Sequence, residues 1–471
     1  MKLKNLIKGL DLTVKGSKEI SITGISSDSR LVAPGNLFIA KRGDTCDGTQ
    51  FIAQATGAGA AAIATDIYDP SLSQTQLIHP HIASIEAKLA ARYYGSPSDE
   101  LFMVGVTGTK GKTTTTYVIK HLLDGLNLSC GLIGTVETVV GANRFFSTLT
   151  THDVITNQKL LREMILKGCK AAVLEVSSHG LNQGRVEEIG FDLGLFTNLY
   201  PDHLDYHKTM EEYASAKKKL FEKCDRAIVN ADSYWGAFKA TSFGIEKGDI
   251  RATHIALTPN GTEFTVDGCH FHSPLIGRFN VYNVLGALAA ALSYGAKLNQ
   301  LPDLLASFPG VPARLQRIGN VFVDFAHTGE ALANVLQTLK EIAKARVIVV
   351  FGCGGNRDPQ RRTGMAQAAE KWADLSLITS DNPRHEDPQE IARQITAAFR
   401  APPIVELDRR RAIHRAIQMA QPDDIVLIAG KGHERVQIFG SQTVPFDDVA
   451  VVKEALQNLN NSAMVVPSCE S

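Results

Sequence analysis

Short apolar runs punctuate the chain, and longer stretches with helical spacing of apolar residues lie between them. From about residue 101 the runs "FMVGVTG", "CGLIGTV", "AAVLEVSS", "LGLFTNL" and "RAIVNAD" read as buried strands of a largely parallel sheet. A second series, "VFVDFAH", "RVIVVFGCGG", "LSLITSDNPR" and "IVLIAGKGHE", follows beyond residue 318. The first part of the chain mixes shorter runs ("LFIAKRG", "AAAIATD") with small helices. Two breaker-rich joints, "YYGSPSDELF" and "SFPGVPARLQRI", separate the blocks. The expected domains are therefore 1–95, 96–315 and 316–460, with "NNSAMVVPSCES" as an unstructured tail at 461–471. No repeat of about 20–50 residues is visible.

The chain has 471 residues, enough for about three domains. Its 49 basic and 49 acidic residues cancel, so it lacks the basic excess of a nucleic-acid binder. No apolar run reaches the roughly 18 residues of a membrane span. The N-terminal apolar run is too short and interrupted for a signal peptide. Seven scattered cysteines form no C-x-x-C pair, which argues against disulfide and zinc frameworks and suits the cytosol.

The chemistry starts at "MVGVTGTKGKTTTT", residues 103–116. Strand, glycine turn and helix N-terminus together make an anion site from backbone amides and the helix dipole. Gly108 and Gly111 permit close approach, Lys112 reaches outer phosphates, and Thr113 offers a hydroxyl to Mg²⁺. The shorter pattern G-x-x-G-K-T is met, whereas G-x-x-x-x-G-K-T is not. The plain alternative is a glycine-rich turn with a solvated lysine. Glu175, at the end of "AAVLE", is either a metal ligand at the carboxyl edge of the sheet or a solvated glutamate. Asp202, His203, Asp205 and His207 in "NLYPDHLDYH" are either Mg²⁺ ligands or a polar capping loop. In "EEYASAKKKLFEKCD", Lys217 lies four residues from both Tyr213 and Phe221, so it either faces inward with them or belongs to the solvated charged face to which Lys218 and Lys219 are assigned.

In order along the chain, "GVTGTKGKTTTT", "LEVSSHGL", "DHLDYH", "YASAK", "VDFAHT", "DNPR" and "GKGHE" resemble the Mur ligases, and the resemblance covers nearly the whole chain. It is strongest to those that add the third residue of the peptidoglycan stem peptide. This likeness implies three α/β domains: a small mixed N-terminal domain, a central P-loop-type parallel-sheet ATPase domain and a Rossmann-like C-terminal domain. It also implies ATP as co-substrate, Mg²⁺ as cofactor, and an acyl phosphate on the route from UDP-MurNAc-L-Ala-D-Glu and meso-diaminopimelate to an amide. The expected protein is a cytoplasmic monomer without nucleic-acid or membrane partners.

By the same likeness Lys112, Glu175, His203 and Lys217 are catalytic, and Lys217 is carbamylated to N6-carboxylysine. Thr113, Glu175, His203 and the Lys217 carbamate hold metal. Gly108, Thr109, Lys110, Gly111, Lys112, Thr113 and Thr114 take the ATP phosphates, with Asn283, Arg314 and His327 on the adenine and phosphate sides. Ser29, Asp44, Thr45 and Cys46 face the uridine end; Thr150, Thr151, Ser177, Gln183 and Arg185 face the dipeptide. Arg357, Asp381, Asn382, Pro383, Arg384, Gly430 and Glu434 receive diaminopimelate, since two arginines and two acids suit a zwitterion with more than one carboxylate. His152, Gln316, Phe325 and Gly329 depart from the family pattern. The rivals are a lysine-adding ligase, a folylpolyglutamate synthetase and a nucleotide-binding regulatory protein without ligase activity.

Overall fold

The computed structural model describes residues 1–42, 47–233 and 240–464, with side chains through 459. The chain divides into two compact units: Met1–Arg251 with Leu285–Lys297, and Ala252–Val284 with Leu298–Ser471.

The first unit contains two sheets. A five-stranded sheet runs in the order Thr13–Lys15, Thr75–Ile78, Ala62–Thr65, Asn36–Ile39, Gly24–Ser26. Only the first pairing is antiparallel. Its core of Leu3, Leu6, Leu37, Ile39, Leu77 and Leu89 is completed by Val154 and Ile155 from the helix Val154–Leu166. The joint after it is built as its residues suggest. The helix Ile82–Tyr94 stops at Gly95 (φ 74), whose N–H closes the last turn on Ala91 and Arg92 carbonyls, and Pro97 prevents its resumption.

The second sheet has nine strands with Phe102–Thr107 near its centre, between Ala171–Glu175 and Phe191–Phe196. All five apolar runs expected here are strands of it, and they pair in parallel. An antiparallel hairpin, Glu137–Val140 with Asn143–Phe146, extends one edge. The register sets Glu175 beside Val106 and Phe196 beside Thr107. The chain segments after these three strands thus leave from one edge of the sheet, where ligands of such folds bind.

The second unit has a three-stranded antiparallel sheet over Thr253–Ser273 and a six-stranded sheet. The latter runs Gln316–Ile318, Val321–Asp324, Ile425–Ala429, Val347–Phe351, Leu375–Ile378, Ile404–Val405, parallel except for its first pairing. The four apolar runs expected in this region are its inner strands. A separate hairpin, Val436–Phe439 with Gln442–Pro445, had no counterpart in the sequence reading. The helix Asp448–Met464 runs past 460 into the expected tail, and residues 465–471 lie outside the described ones. Among the described residues no helix is long and apolar enough to cross a membrane.

Candidate active site

The strand Phe102–Thr107 delivers a loop whose shape depends on two glycines. Gly108 has φ 147, and a Cβ there would lie 1.9 Å from Thr197 Oγ1. Gly111 (φ 87) caps the helix Lys112–Gly125 without any side-chain cap, so the amides of the first turn face the loop mouth. The loop is clamped from the end of the strand Phe191–Phe196. Asn198 O accepts from Thr109 N (2.9 Å), Asn198 Oδ1 accepts from Lys110 N (2.8 Å), and Asn198 Nδ2 donates to Lys110 O (3.0 Å). The amides of Thr109 and Lys110, two residues expected at the phosphates, are thus engaged by the protein itself. Asn198 was missed; its "TN" was visible, but its partner was not.

Two lysines meet at this loop. Lys112 Nζ donates to Gly108 O (2.8 Å) and Thr109 O (3.0 Å), and Lys217 Nζ donates to the same Gly108 O (2.9 Å). Lys217 is 1% exposed and Lys218 is exposed, as the helical spacing suggested; Lys219, expected to be solvated, is half-buried and donates to Asn182 Oδ1 (3.1 Å). Its amine lies 4.2 Å from the Tyr213 ring centroid, and Tyr213 Oη donates to Thr109 Oγ1 (3.2 Å). Burial, then the charge of Lys112, pushes the Lys217 pKa well below the usual lysine value, against a smaller opposing pull from Asp202. Lys217 lies on the helix Met210–Lys218, capped by Thr209, whose hydroxyl accepts from Glu212 N (3.2 Å). Thr209→Ala is expected to cost about 1 kcal/mol of stability, read as a lower urea midpoint with an unchanged slope.

Glu175 is fully buried. Its carboxylate accepts from Thr113 Oγ1 (2.9 Å), Thr135 Oγ1 (2.9 Å) and Thr135 N (2.8 Å), and Thr135 Oγ1 lies 3.0 Å from Thr150 Oγ1. Hydroxyl and carboxylate oxygens of this kind suit Mg²⁺. His203 belongs to another cluster. It is exposed, stands edge-on to His179 (4.9 Å between centroids) and lies 6.2 Å from the Tyr213 ring. The expected metal residues therefore fall in two halves, Thr113 with Glu175, and His203 with Lys217 around Tyr213. Among the described residues no group of three or more His, Cys, Asp or Glu side chains is arranged to hold a metal. His207 is buried against Ser178 Oγ (3.0 Å), which makes it a tie between helices.

The residues expected at the dipeptide form one network beside Glu175. Thr151 Oγ1 donates to the Glu175 carbonyl (2.9 Å) and lies 3.1 Å from Ser177 Oγ. Arg185 donates to Thr151 O (2.8 Å) and to Gln183 Oε1 (2.6 Å). Ser29, in the N-terminal sheet region, is buried and bonded to Gln54 Oε1 (2.7 Å). Asp44, Thr45 and Cys46 lie outside the described residues.

In the second unit the loops after three neighbouring strands converge. Asn382 Nδ2 donates to Glu434 Oε2 (2.7 Å), and the fully buried Lys431 donates to Asn382 Oδ1 and Glu434 Oε2 (both 3.0 Å). Asp381 is buried, which pushes its carboxyl pKa up against the pull of Lys431 and Arg409. A Cβ at Gly430 would come within 2.8 Å of Asp381 Oδ2, and one at Gly355 within 1.9 Å of Pro383 O. Arg384 Nη1 donates to Gly355 O (2.8 Å), while Arg357 is exposed at the rim. Lys431 was missed, although its motif "GKGHE" was in view; burial of a lysine in a glycine loop has no local signal.

Three family models match in series: the Mur ligase family catalytic domain over 21–94, the Mur ligase middle domain over 106–291, and the Mur ligase glutamate ligase domain over 313–432. A Chlamydia felis protein named UDP-N-acetylmuramoyl-L-alanyl-D-glutamate--2,6-diaminopimelate ligase is 42% identical, over 97% of this chain and 100% of its own. The Chlamydia caviae protein of the same name matches equally, 42% over 97% and 100%. The chain belongs to the Mur ligase family. A solved structure of a ligase with that name is 31% identical with a TM-score of 0.70, covering 98% of this chain and 99% of that one.

The remaining expected sites of this Mur ligase lie in the second unit. Arg314 stands over the Phe325 ring (5.1 Å), with His327 (4.5 Å) and His433 (4.7 Å) on the same ring. Burial, then Arg314, pushes the His433 pKa down to about 4. Asn283 Nδ2 donates to Asn280 Oδ1 (2.9 Å) on the helix Arg278–Tyr294. Besides Phe325, the three other departures from the family pattern have structural partners. Gln316 Oε1 accepts from Ala313 N (3.0 Å). Gly329 lets its helix meet Gly364 backbone to backbone, for a Cβ would fall 2.6 Å from the Gly364 carbonyl carbon. His152 lies 3.3 Å from Thr138 Oγ1.

Proposed function

We propose that this Mur ligase joins meso-diaminopimelate to UDP-MurNAc-L-Ala-D-Glu, with conversion of ATP to ADP and phosphate, in the cytoplasmic synthesis of peptidoglycan precursors on which cell shape and division depend. The observation that carries this reading is the double role of Glu175. Its main-chain carbonyl anchors the Thr151–Ser177–Arg185 network, and its carboxylate holds Thr113 of the phosphate loop. A substrate carboxylate bound by that network lies next to the terminal phosphate.

The chemistry then follows in two displacements. A carboxylate oxygen of the D-Glu residue attacks the γ-phosphorus, the P–O bond to ADP breaks, and an acyl phosphate forms. The amine of diaminopimelate attacks the acyl carbon, the tetrahedral adduct expels inorganic phosphate with the C–O electron pair, and the amine proton passes to solvent. Both steps bring negative groups together, so Lys112 and the first-turn amides of the helix Lys112–Gly125 act by neutralising and orienting. Thr113, Glu175, His203 and a carbamate on Lys217 would hold Mg²⁺, which when bound supplies further positive charge at the transferred phosphoryl group. Lys217 is suited to carbamylation because burial and Lys112 favour its neutral amine.

In this reading residues 1–95 take the UDP end with Ser29 and the stretch 44–46, residues 96–315 take ATP with Asn283 and Arg314, and residues 316–460 take diaminopimelate with His327 at the phosphates. Thr150, Gln183 and Arg185 face the dipeptide. Asp381, Glu434 and Arg384 face the amino acid, with Arg357 at the rim. The enzyme acts as a monomer. The test is release of inorganic phosphate. It is expected only when UDP-MurNAc-L-Ala-D-Glu and meso-diaminopimelate are both present. Equal phosphate release with ATP alone would remove the ligase reading and leave a nucleotide switch.

A further inference from the structure

Arg384 has φ 54, in the left-handed region that a residue with so large a side chain seldom adopts. The hairpin Val436–Phe439 with Gln442–Pro445 holds it there. Arg384 N donates to Ile438 O (2.9 Å), and Gly440 N donates to Arg384 O (2.5 Å), so the backbone on both sides of the strained residue is tied to one hairpin. The same strand reaches the three residues that begin the loop. Ile438 N donates to Asn382 Oδ1 (3.1 Å), and Gln437 Nε2 donates to Asp381 O (3.0 Å) and Ser380 O (3.3 Å). Gln437 is 7% exposed, so these carbonyls have no ready replacement donor from water if its amide is lost.

Strained backbone persists only where its surroundings over-determine it. The amide of Gln437 is one side-chain part of that constraint, beside the Ile438 N–Asn382 Oδ1 bond, the Arg384 Nη1–Gly355 O bond and the two main-chain bonds at Arg384. We infer that Gln437 is a positioning residue for amino-acid choice: by pinning Ser380 and Asp381 to the hairpin it holds Arg384 in its left-handed turn, and thereby aims the guanidinium at the far carboxylate of a dicarboxylic diamine. Gln437 itself touches no reacting atom. When the constraint loosens, the strain is released where it is stored, at Arg384. A ligand that uses the guanidinium loses more than one that does not. This inference rests on the amino-acid site proposed above.

The experiment compares Gln437→Met, which keeps the length and removes the donors, with Gln437→Asn, whose shorter amide falls away from both carbonyls. For each variant and the wild type, kcat and KM are measured for meso-diaminopimelate and for L-lysine, together with the KM for ATP and the melting temperature. Use of diaminopimelate is expected to fall about tenfold in kcat/KM, mostly through KM, while lysine use and the KM for ATP change by less than about twofold. If the Met variant fails to fold, the Asn variant gives the same ratio. Equal losses for both amino acids, or none, would show that Gln437 merely supports the fold and would overturn the inference while leaving the amino-acid site intact. A wild type that does not prefer diaminopimelate would overturn the site and this inference together.

Discussion

Lys217→Ala is expected to abolish ligation while leaving the fold and ATP binding largely intact. A free lysine has a pKa near ~10.4, so only about one in 2,500 is neutral at pH 7. At position 217 burial and the charge of Lys112 shift that balance toward the free amine. The amine adds CO₂ by forming an N–C bond and giving up a proton, so carbamate occupancy rises with pH and with dissolved CO₂. The alanine variant lacks this carboxylate, and a small one such as acetate is expected to restore part of the turnover. Stability provides a second readout. Because the folded-state pKa is depressed, the unfolded chain binds the proton more tightly, and the lysine contributes a stability that increases as pH rises from the folded value toward ~10.4. The variant loses that slope, which a series of urea midpoints against pH measures. Full activity of Lys217→Ala without added carboxylate would remove the role.

What could be read from the sequence followed local periods. The phosphate loop was legible because strand, glycines and helix are contiguous, and each constrains the next. Lys217 was legible because a helix fixes which residues share its face, and Tyr213, one turn earlier, identified the buried one; the helix ends at Lys218, so Phe221 lies beyond it. Glu175 was legible because parallel strands release their loops at one edge. The features that escaped depend on pairings between distant segments. Asn198 clamps a loop residue 88 positions earlier, and only because the strand Phe191–Phe196 lies beside Phe102–Thr107. Lys431 and Gln437 carry no periodic signal, since a glycine-rich loop and a two-stranded hairpin do not declare which way their side chains face. The hairpin Glu137–Phe146 was hidden for a related reason. Strand Asn143–Phe146 is exposed throughout, so it shows neither the alternation nor the apolar run that marks a strand. Gly329 read as a departure of unknown consequence, and its meaning came from Gly364 on a neighbouring helix.

Arg384→Ala is expected to weaken use of diaminopimelate by roughly 10–150-fold, the equivalent of about 1.5–3 kcal/mol for a charge-assisted contact. Diaminopimelate and lysine differ by one carboxylate at the far end, so a site that prefers the former needs a cation there. Arg384 stands among the other residues proposed for that site, and Nη1 is bonded to Gly355 O. One N–H of the planar fork is thus used for anchoring, while the fork as a whole offers donors that a carboxylate accepts in pairs. The anchor complicates the alanine variant, because losing it also frees the loop at Gly355. Arg384→Lys separates the two effects. It keeps the charge but not the fork, so it should recover only part of the loss if two-pronged recognition matters. Lysine use, where measurable, should change much less in either variant. Competition between the two amino acids at equal concentration gives the ratio directly. Preferential incorporation of lysine by the wild type, or an alanine variant that loses nothing, would end the specificity argument. It would leave the ligase reading standing, because Glu175, Lys112 and Lys217 lie in the other unit.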